Sequence, residues 1–155
     1  MFQDGQDMMN ADDHELPMKA LTGQIIGMAM KIHNAMGAGY IESVYHRCME
    51  IELTKAGIAF ESKKHLPVHY EGQLVGTFEA DIVIVVDQQL IIELKATEAL
   101  LIAHEVQLVN YLTASGIEDG LLLNFGAEKL QFRRKFKTFR PRRIALQPLT
   151  ESDHL

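Results

Sequence analysis

Every residue from Ile82 to Val86 is β-branched, and this run constrains the fold more than any other stretch. Branching at Cβ favours extended backbone, and an unbroken apolar strand has no polar face to offer to water. Such a strand belongs in the interior of a sheet that is covered on both sides. The rest of the chain must supply that cover. With 155 residues, 47% of them hydrophobic and 23% charged, there is enough apolar material for one domain with a real core.

The covering helices are legible upstream. Met18, Leu21, Ile25, Met28, Ile32 and Met36 recur at helical spacing and stop at Gly37, which predicts a first helix with a glycine C-cap. Ile41, Val44, Tyr45, Cys48 and Ile51 repeat that spacing until Gly57, predicting a second helix packed on the first. Next, "IAFESKKHLPVHY" turns at Glu71-Gly72 into "QLVGTFEADIVIVV", and a short "DQQ" connection leads to "LIIELKA". These three segments predict an antiparallel meander, and Pro67 makes the first an edge strand or breaks it. "ALLIAHEVQLVNYLTASG" returns to helical spacing and closes at Gly116. "DGLLLNFG" then reads as a buried strand and "KLQFRRKF" as a last one. The order predicts an α/β chain of the α+β kind, a mixed sheet with helices packed on it. The domain is expected over 18–139. Residues 1–17 hold five acids and no basic residue and read as a flexible acidic tail without a signal-peptide core, and 140–155 as a flexible basic tail.

Acids at the ends of apolar strands need an account, because an ionised carboxylate in a low-dielectric interior is costly without a partner. Asp81 precedes "IVIVV" and Glu93 follows "LII". On a strand Glu93 and Lys95 share a face while Leu94 points to the other. A two-residue hairpin loop would put Asp81 and Glu93 on opposite faces, whereas pairing centred on Gln88 sets Asp81 near Lys95 and Val83 near Glu93. The second register is the expected one. Two carboxylates and a lysine converging there would suit a hard divalent cation and phosphodiester chemistry. Alone, "ELK" is equally a surface ion pair, and "ESK" at Glu61 to Lys63 is such a decoy. His104, Gln107 and Tyr111 fall on one face of the following helix, apart from Val106, Val109 and Leu112, so an amide and a phenol could be aimed at the site or at solvent.

The net charge of −6 conceals an uneven distribution. Eight of the fifteen Lys and Arg residues lie in "KLQFRRKFKTFRPRR", Lys129 to Arg143, interleaved with Phe132, Phe136 and Phe139. Arg133, Arg134, Lys135, Lys137 and Arg140 form a candidate nucleic-acid surface, the alternative being a solvated last strand. Other chemistries are poorly supplied. Cys48 is the only cysteine, which excludes an intrachain disulfide and a thiolate cluster. His65 and His69 on an extended segment lie roughly 13 Å apart, too far to share one ion. No GxSxG elbow is present, and "GAG" lies between helices rather than after a strand. No apolar run approaches the roughly 18 residues of a membrane span, so no membrane partner and a cytoplasmic location are expected.

These residues carry a resemblance. "GYIESVY", Gly39 to Tyr45, resembles the signature of the GxxExxY proteins, and "FEADIVIVVDQQLIIELKA" followed by "HEVQLVNYL" resembles the rest of that family, over about Leu21 to Phe136. The family is assigned to the PD-(D/E)XK nuclease superfamily. The resemblance implies a restriction-endonuclease-like core in which Asp81 and Glu93 bind Mg²⁺ (or Mn²⁺) and Lys95 assists the attacking water. Gln107 and Tyr111 resemble the QxxxY element of the branch that contains RecB-type exonucleases. Glu42 corresponds to the helical acid that completes many such sites, although an acid in a helix's first turn also meets the helix dipole favourably. Gly39 and Tyr45 read as a tight helix entry and a core ring. One departure is Glu79, where relatives often carry a basic residue. The expected function is a metal-dependent nuclease acting on DNA or RNA, the alternative a non-catalytic nucleic-acid- or protein-binding module on the same fold. A homo-oligomer is compatible with either.

Overall fold

The computed structural model describes residues 11–85 and 89–138, with backbone alone at 11–13. Ile82, Val83 and Ile84 are 0, 1 and 2% exposed, as an unbroken β-branched run requires. They end β2 (Gln73–Ile84), which lies between β1 (Phe60–Tyr70) and β3 (Leu90–Lys95). The sheet continues through β4 (Asp119–Asn124) to β5 (Gln131–Phe136) in the order β1-β2-β3-β4-β5. All neighbours are antiparallel except β3 and β4. That parallel pair needs a crossover, supplied by α3 (Ile102–Ser115). β1, with Pro67, is an edge strand, as expected.

The two faces have separate cores. Ile82, Ile84, Leu90, Ile92, Leu94, Leu121 and Leu123 pack with α1 (Ala11–Met36) and α2 (Glu42–Lys55), and the two helices lie together in that cluster. Val83, Ile91 and Leu122 pack with Leu108 and Leu112 of α3. Phe78 and Ala80 also join the α3 side, although they share parity with Ile82. The β1–β2 ribbon therefore twists through the step between the Ser62–Ile82 and Lys64–Ala80 pairs, where Lys63 has φ 52°. The core face of α2 is Tyr45, Met49 and Leu53, while Ile41 and Ile51 are exposed. Cys48 packs partly buried against the same core.

Three expectations are corrected. Helix α1 begins at Ala11, so residues 11–17 are helix rather than tail, and Pro17 lies inside it. Proline disfavours helix in the residue before it and removes a donor, yet the helix runs through it. The helix start is anchored instead by Met18, 4% exposed, and by His14, whose Nε2 lies 2.6 Å from Asp119 Oδ2. The hairpin register sets Ile82 opposite Ile92 and Ile84 opposite Leu90, two residues from the expected one that placed Val83 near Glu93. A slip of two residues leaves every side chain on its own face, so hydrophobic pattern fixes the parity of a register but not the step. Third, Val106, grouped by spacing with Val109 and Leu112, is 52% exposed whereas Leu112 is fully buried. Residues 1–10, 86–88 and the 140–155 tail lie outside the described residues. No described helix is long and apolar enough to cross a membrane.

Candidate active site

Continuing the hairpin register brings Asp81 opposite Glu93, at the point where β2 and β3 part. There side chains replace ladder bonds. The Leu94 N–H donates to Asp81 Oδ2 at 2.7 Å, and the Asp81 N–H donates to Glu93 Oε1 at 3.2 Å. Each carboxylate thus stands where the other strand would offer a carbonyl, and the second oxygen of each lies outside the ladder. Glu93 is 5% exposed. Burial, and then the adjacent Asp81 charge, push its carboxyl up to about 9. At neutral pH and without a cation, the pair retains a proton.

Lys95, two residues along the same face, donates to Gln107 Oε1 of α3 at 3.5 Å. One turn further along α3, the Tyr111 ring stacks on Phe78 with centroids 3.9 Å apart and planes 7° from parallel. Burial, followed by the charges of Glu93 and Asp81, raises the Tyr111 phenol above its ordinary value, so it stays a hydrogen-bond donor. Glu42 opens α2 on the other flank of the fork. Its carboxyl is raised by burial and by Asp81, with Lys95 opposing. Asp81, Glu93, Lys95, Glu42, Gln107 and Tyr111 therefore share one electrostatic neighbourhood assembled from α2, β2, β3 and α3.

Among the described residues, no three His, Cys, Asp or Glu side chains are close enough to hold a metal ion between them. Asp81 and Glu93 nevertheless have the donor chemistry of a hard-cation site. They are adjacent carboxylates in a fork of the sheet, the Glu93 carboxyl raised by burial and by the Asp81 charge, and a divalent cation would relieve that conflict. Glu42 lies near enough to be felt as charge.

A family model for the PD-(D/E)XK nuclease superfamily matches residues 19–135. The chain belongs to the PD-(D/E)XK nuclease superfamily. Among solved structures, the crystal structure of SSO0001 is similar over 64% of this chain at 20% identity, with a TM-score of 0.50. The match covers 52% of that protein, so the chain spans about half of its length and shares its fold. No curated protein matches the sequence.

In this PD-(D/E)XK chain the basic residues of β5 are not gathered as sequence order suggests. Arg134 Nε donates to Thr22 Oγ1 of α1 at 3.1 Å, whereas Lys135 pairs with Glu105 of α3 at 3.3 Å. Alternation along the strand sends them to opposite faces. Gln131 is beside Asn124 and Phe136 beside Asp119, while Asn124 is beside Lys95 and Asp119 beside Leu90. β5 therefore starts at the site and runs away from it, leaving Lys137 at the far end. Arg133 is exposed at its middle, and Arg140 lies outside the described residues. Phe132 packs partly buried against the α1/α2 core. Glu79 lies 3.5 Å from His65 on the exposed ribbon. The decoy Glu61 pairs with Lys64 at 2.7 Å on the edge strand.

Sequence reasoning passed over Asn124. Its fully buried amide accepts from the Thr97 and Gly126 N–H groups and donates to the Thr97 carbonyl and Gln131 Oε1. This ties down the turn that follows Lys95. The signal was an amide closing the run "LLLN", a buried polar group that needs partners. Gly126 is packed so tightly there that a Cβ would lie 2.4 Å from the Ala96 and Thr97 backbone. His104, grouped with Gln107 and Tyr111 by spacing, caps its own helix, its Nδ1 accepting from the Leu101 N–H at 3.1 Å.

Proposed function

We propose that this protein is a divalent-metal-dependent phosphodiester hydrolase acting on nucleic acid. The observation that carries the reading is the buried Glu93 carboxyl interlocked with the half-buried Asp81, with Lys95 beside them in a fork of the sheet. Within the superfamily, Gly39, Glu42 and Tyr45 support placement among the GxxExxY proteins.

Asp81 and Glu93 would hold Mg²⁺ or Mn²⁺, with Glu42 adding negative charge from α2. The bound cation would supply Lewis acidity, lowering the pKa of water and neutralising charge on a phosphoryl oxygen. The chain's own groups do the rest. The Lys95 ammonium, steadied by the Gln107 carbonyl oxygen, orients the nucleophilic water or the phosphate and offsets charge developing there. Tyr111, braced on Phe78 and kept protonated, offers its O–H as a further donor. Burial of Glu93 strengthens the interactions made at the fork itself, while Gln107 and Glu42 stand at the solvent-facing rim.

Titration with Mg²⁺ and Mn²⁺, read by calorimetry and thermal melting, tests the site, and a cleavage panel of single- and double-stranded DNA and RNA tests the reaction. Saturable binding, a raised melting temperature and metal-dependent cleavage lost in Lys95→Ala are expected. Absence of binding and of cleavage overturns the reading and leaves a binding module on a nuclease fold.

A further inference from the structure

We propose that Tyr40 is a stacking platform for an unpaired nucleobase beside the reacting phosphate. The inference rests on the phosphodiester reading of the Asp81–Glu93 site and adds the state of the substrate: a single strand, of DNA or RNA, rather than a closed duplex.

Three rings lead outward from the core. Phe125 and Tyr45 are both fully buried and stack with centroids 4.7 Å apart and planes 10° from parallel. Tyr40 meets Tyr45 edge-on at 6.1 Å and 76°, and is 49% exposed. The backbone fixes it as well. The Tyr40 N–H donates to the Tyr45 hydroxyl, which donates in turn to the Gly37 carbonyl. Gly37 and Gly39, with φ of 72° and 111°, adopt left-handed conformations that other residues rarely take. An exposed tyrosine ordinarily loses side-chain freedom when it binds, but this one is held before a ligand arrives. Preorganisation of that kind favours binding directly.

Position makes the ring relevant. Tyr40 precedes Glu42 by two residues, at most about 7 Å of chain, which is the span of about two stacked nucleotides. Glu42 in turn feels the Asp81 charge, so the platform stands on the α2 flank of the site. Ile41, 72% exposed, extends the apolar surface between them. The other strongly exposed tyrosine, Tyr70 at 67%, sits at the end of β1 next to the β1–β2 turn, away from the site. Phe132 is partly buried and cannot serve. In a duplex both faces of each base are already stacked on neighbours, so only an unpaired or terminal base can cover Tyr40.

The chain contains no tryptophan, so Tyr40→Trp places one fluorophore at the proposed platform. The probes are a fluorescein-labelled single strand of about 12 nucleotides, as DNA and as RNA, and the matching blunt duplex. Binding is measured by anisotropy with Ca²⁺ in place of Mg²⁺, with a gel confirming intact probe. The single strand should quench the indole, and Tyr40→Ala should weaken its affinity about tenfold while Tyr40→Phe stays close to wild type. Duplex affinity, to which only the two terminal base pairs could contribute stacking, should change far less than single-strand affinity in all three variants. A strand that binds without quenching, or equal loss for strand and duplex, overturns the platform. If the wild type cuts single strands yet Tyr40→Ala binds them normally, the platform falls and the hydrolase stands. If the wild type neither binds nor cuts any probe, the hydrolase reading falls and the platform with it.

Discussion

The Leu94 amide donates to the Asp81 carboxylate at 2.7 Å, in the place where a neighbouring strand would offer a main-chain carbonyl. Asp81 is thus part of the sheet's hydrogen bonding as well as a candidate ligand. Its substitutions should separate by whether an acceptor remains. Asp81→Asn retains one and should melt near wild type. Asp81→Ala strands the amide, costs about 1–3 kcal/mol, and should melt several degrees lower. Both should lose at least about a hundredfold in cleavage rate. Calorimetry and a single-turnover assay check the two halves.

Glu93 predicts the pH dependence of the metal-free protein. Its carboxyl is raised from the ordinary 4.5 to about 9 in the folded chain, by burial and then by Asp81. Between those values the folded state holds a proton that the unfolded state has lost, so stability is greatest below about 4.5 and declines as pH rises toward 9. The raised carboxyl of Glu42 acts in the same sense. Glu93→Gln should flatten the decline, and Mg²⁺ should oppose it by displacing the proton. Urea titrations across that range, with and without the cation, measure both effects.

Lys95 and Gln107 should differ in kind. Lys95→Ala should lower the cleavage rate by about 10²- to 10⁴-fold while leaving cation-induced stabilisation intact, because the carboxylates remain. Gln107→Ala loses only a long 3.5 Å contact to the ammonium, so its cost should be near tenfold or less. Melting curves with Mg²⁺ and rate measurements on the same samples decide it.

Gly126 should tolerate no side chain. An added Cβ would meet the Ala96 and Thr97 backbone at 2.4 Å, and neither segment is a flexible chain end. Gly126→Ala should destabilise by about 3 kcal/mol or more and disturb the turn after Lys95. A variant that expresses and melts like wild type would contradict this packing.

Much of this architecture was readable from local chemistry. The β-branched Ile82–Val86 run marked an interior strand, and Gly37, Gly57 and Gly116 marked helix ends. Parity placed Glu93 and Lys95 on one face. What stayed hidden depended on contacts distant in sequence. The hairpin step is invisible to a period-two pattern, because registers two residues apart bury the same faces. Residues 11–17 looked like tail because of their acids, since nothing nearby reveals that His14 reaches Asp119, a hundred residues away. The β5 cations looked like one surface because composition ignores alternation. Tyr40 carried no signal of its own, since the ring that supports it is Tyr45, from the next helix, backed by Phe125, which follows β4.

β3 is bonded unevenly. It shares three register pairs with its hairpin partner β2 but six with β4, which arrives only after the α3 crossover. Mechanically β3 belongs to the β3–α3–β4 unit, and the candidate site straddles the seam between that unit and the β1–β2 ribbon. Parallel pairing across a crossover forms late, after loop closure has been overcome. A refolding chain should therefore recover its helical signal before it recovers its cation affinity, and that lag would report directly on closure of the seam.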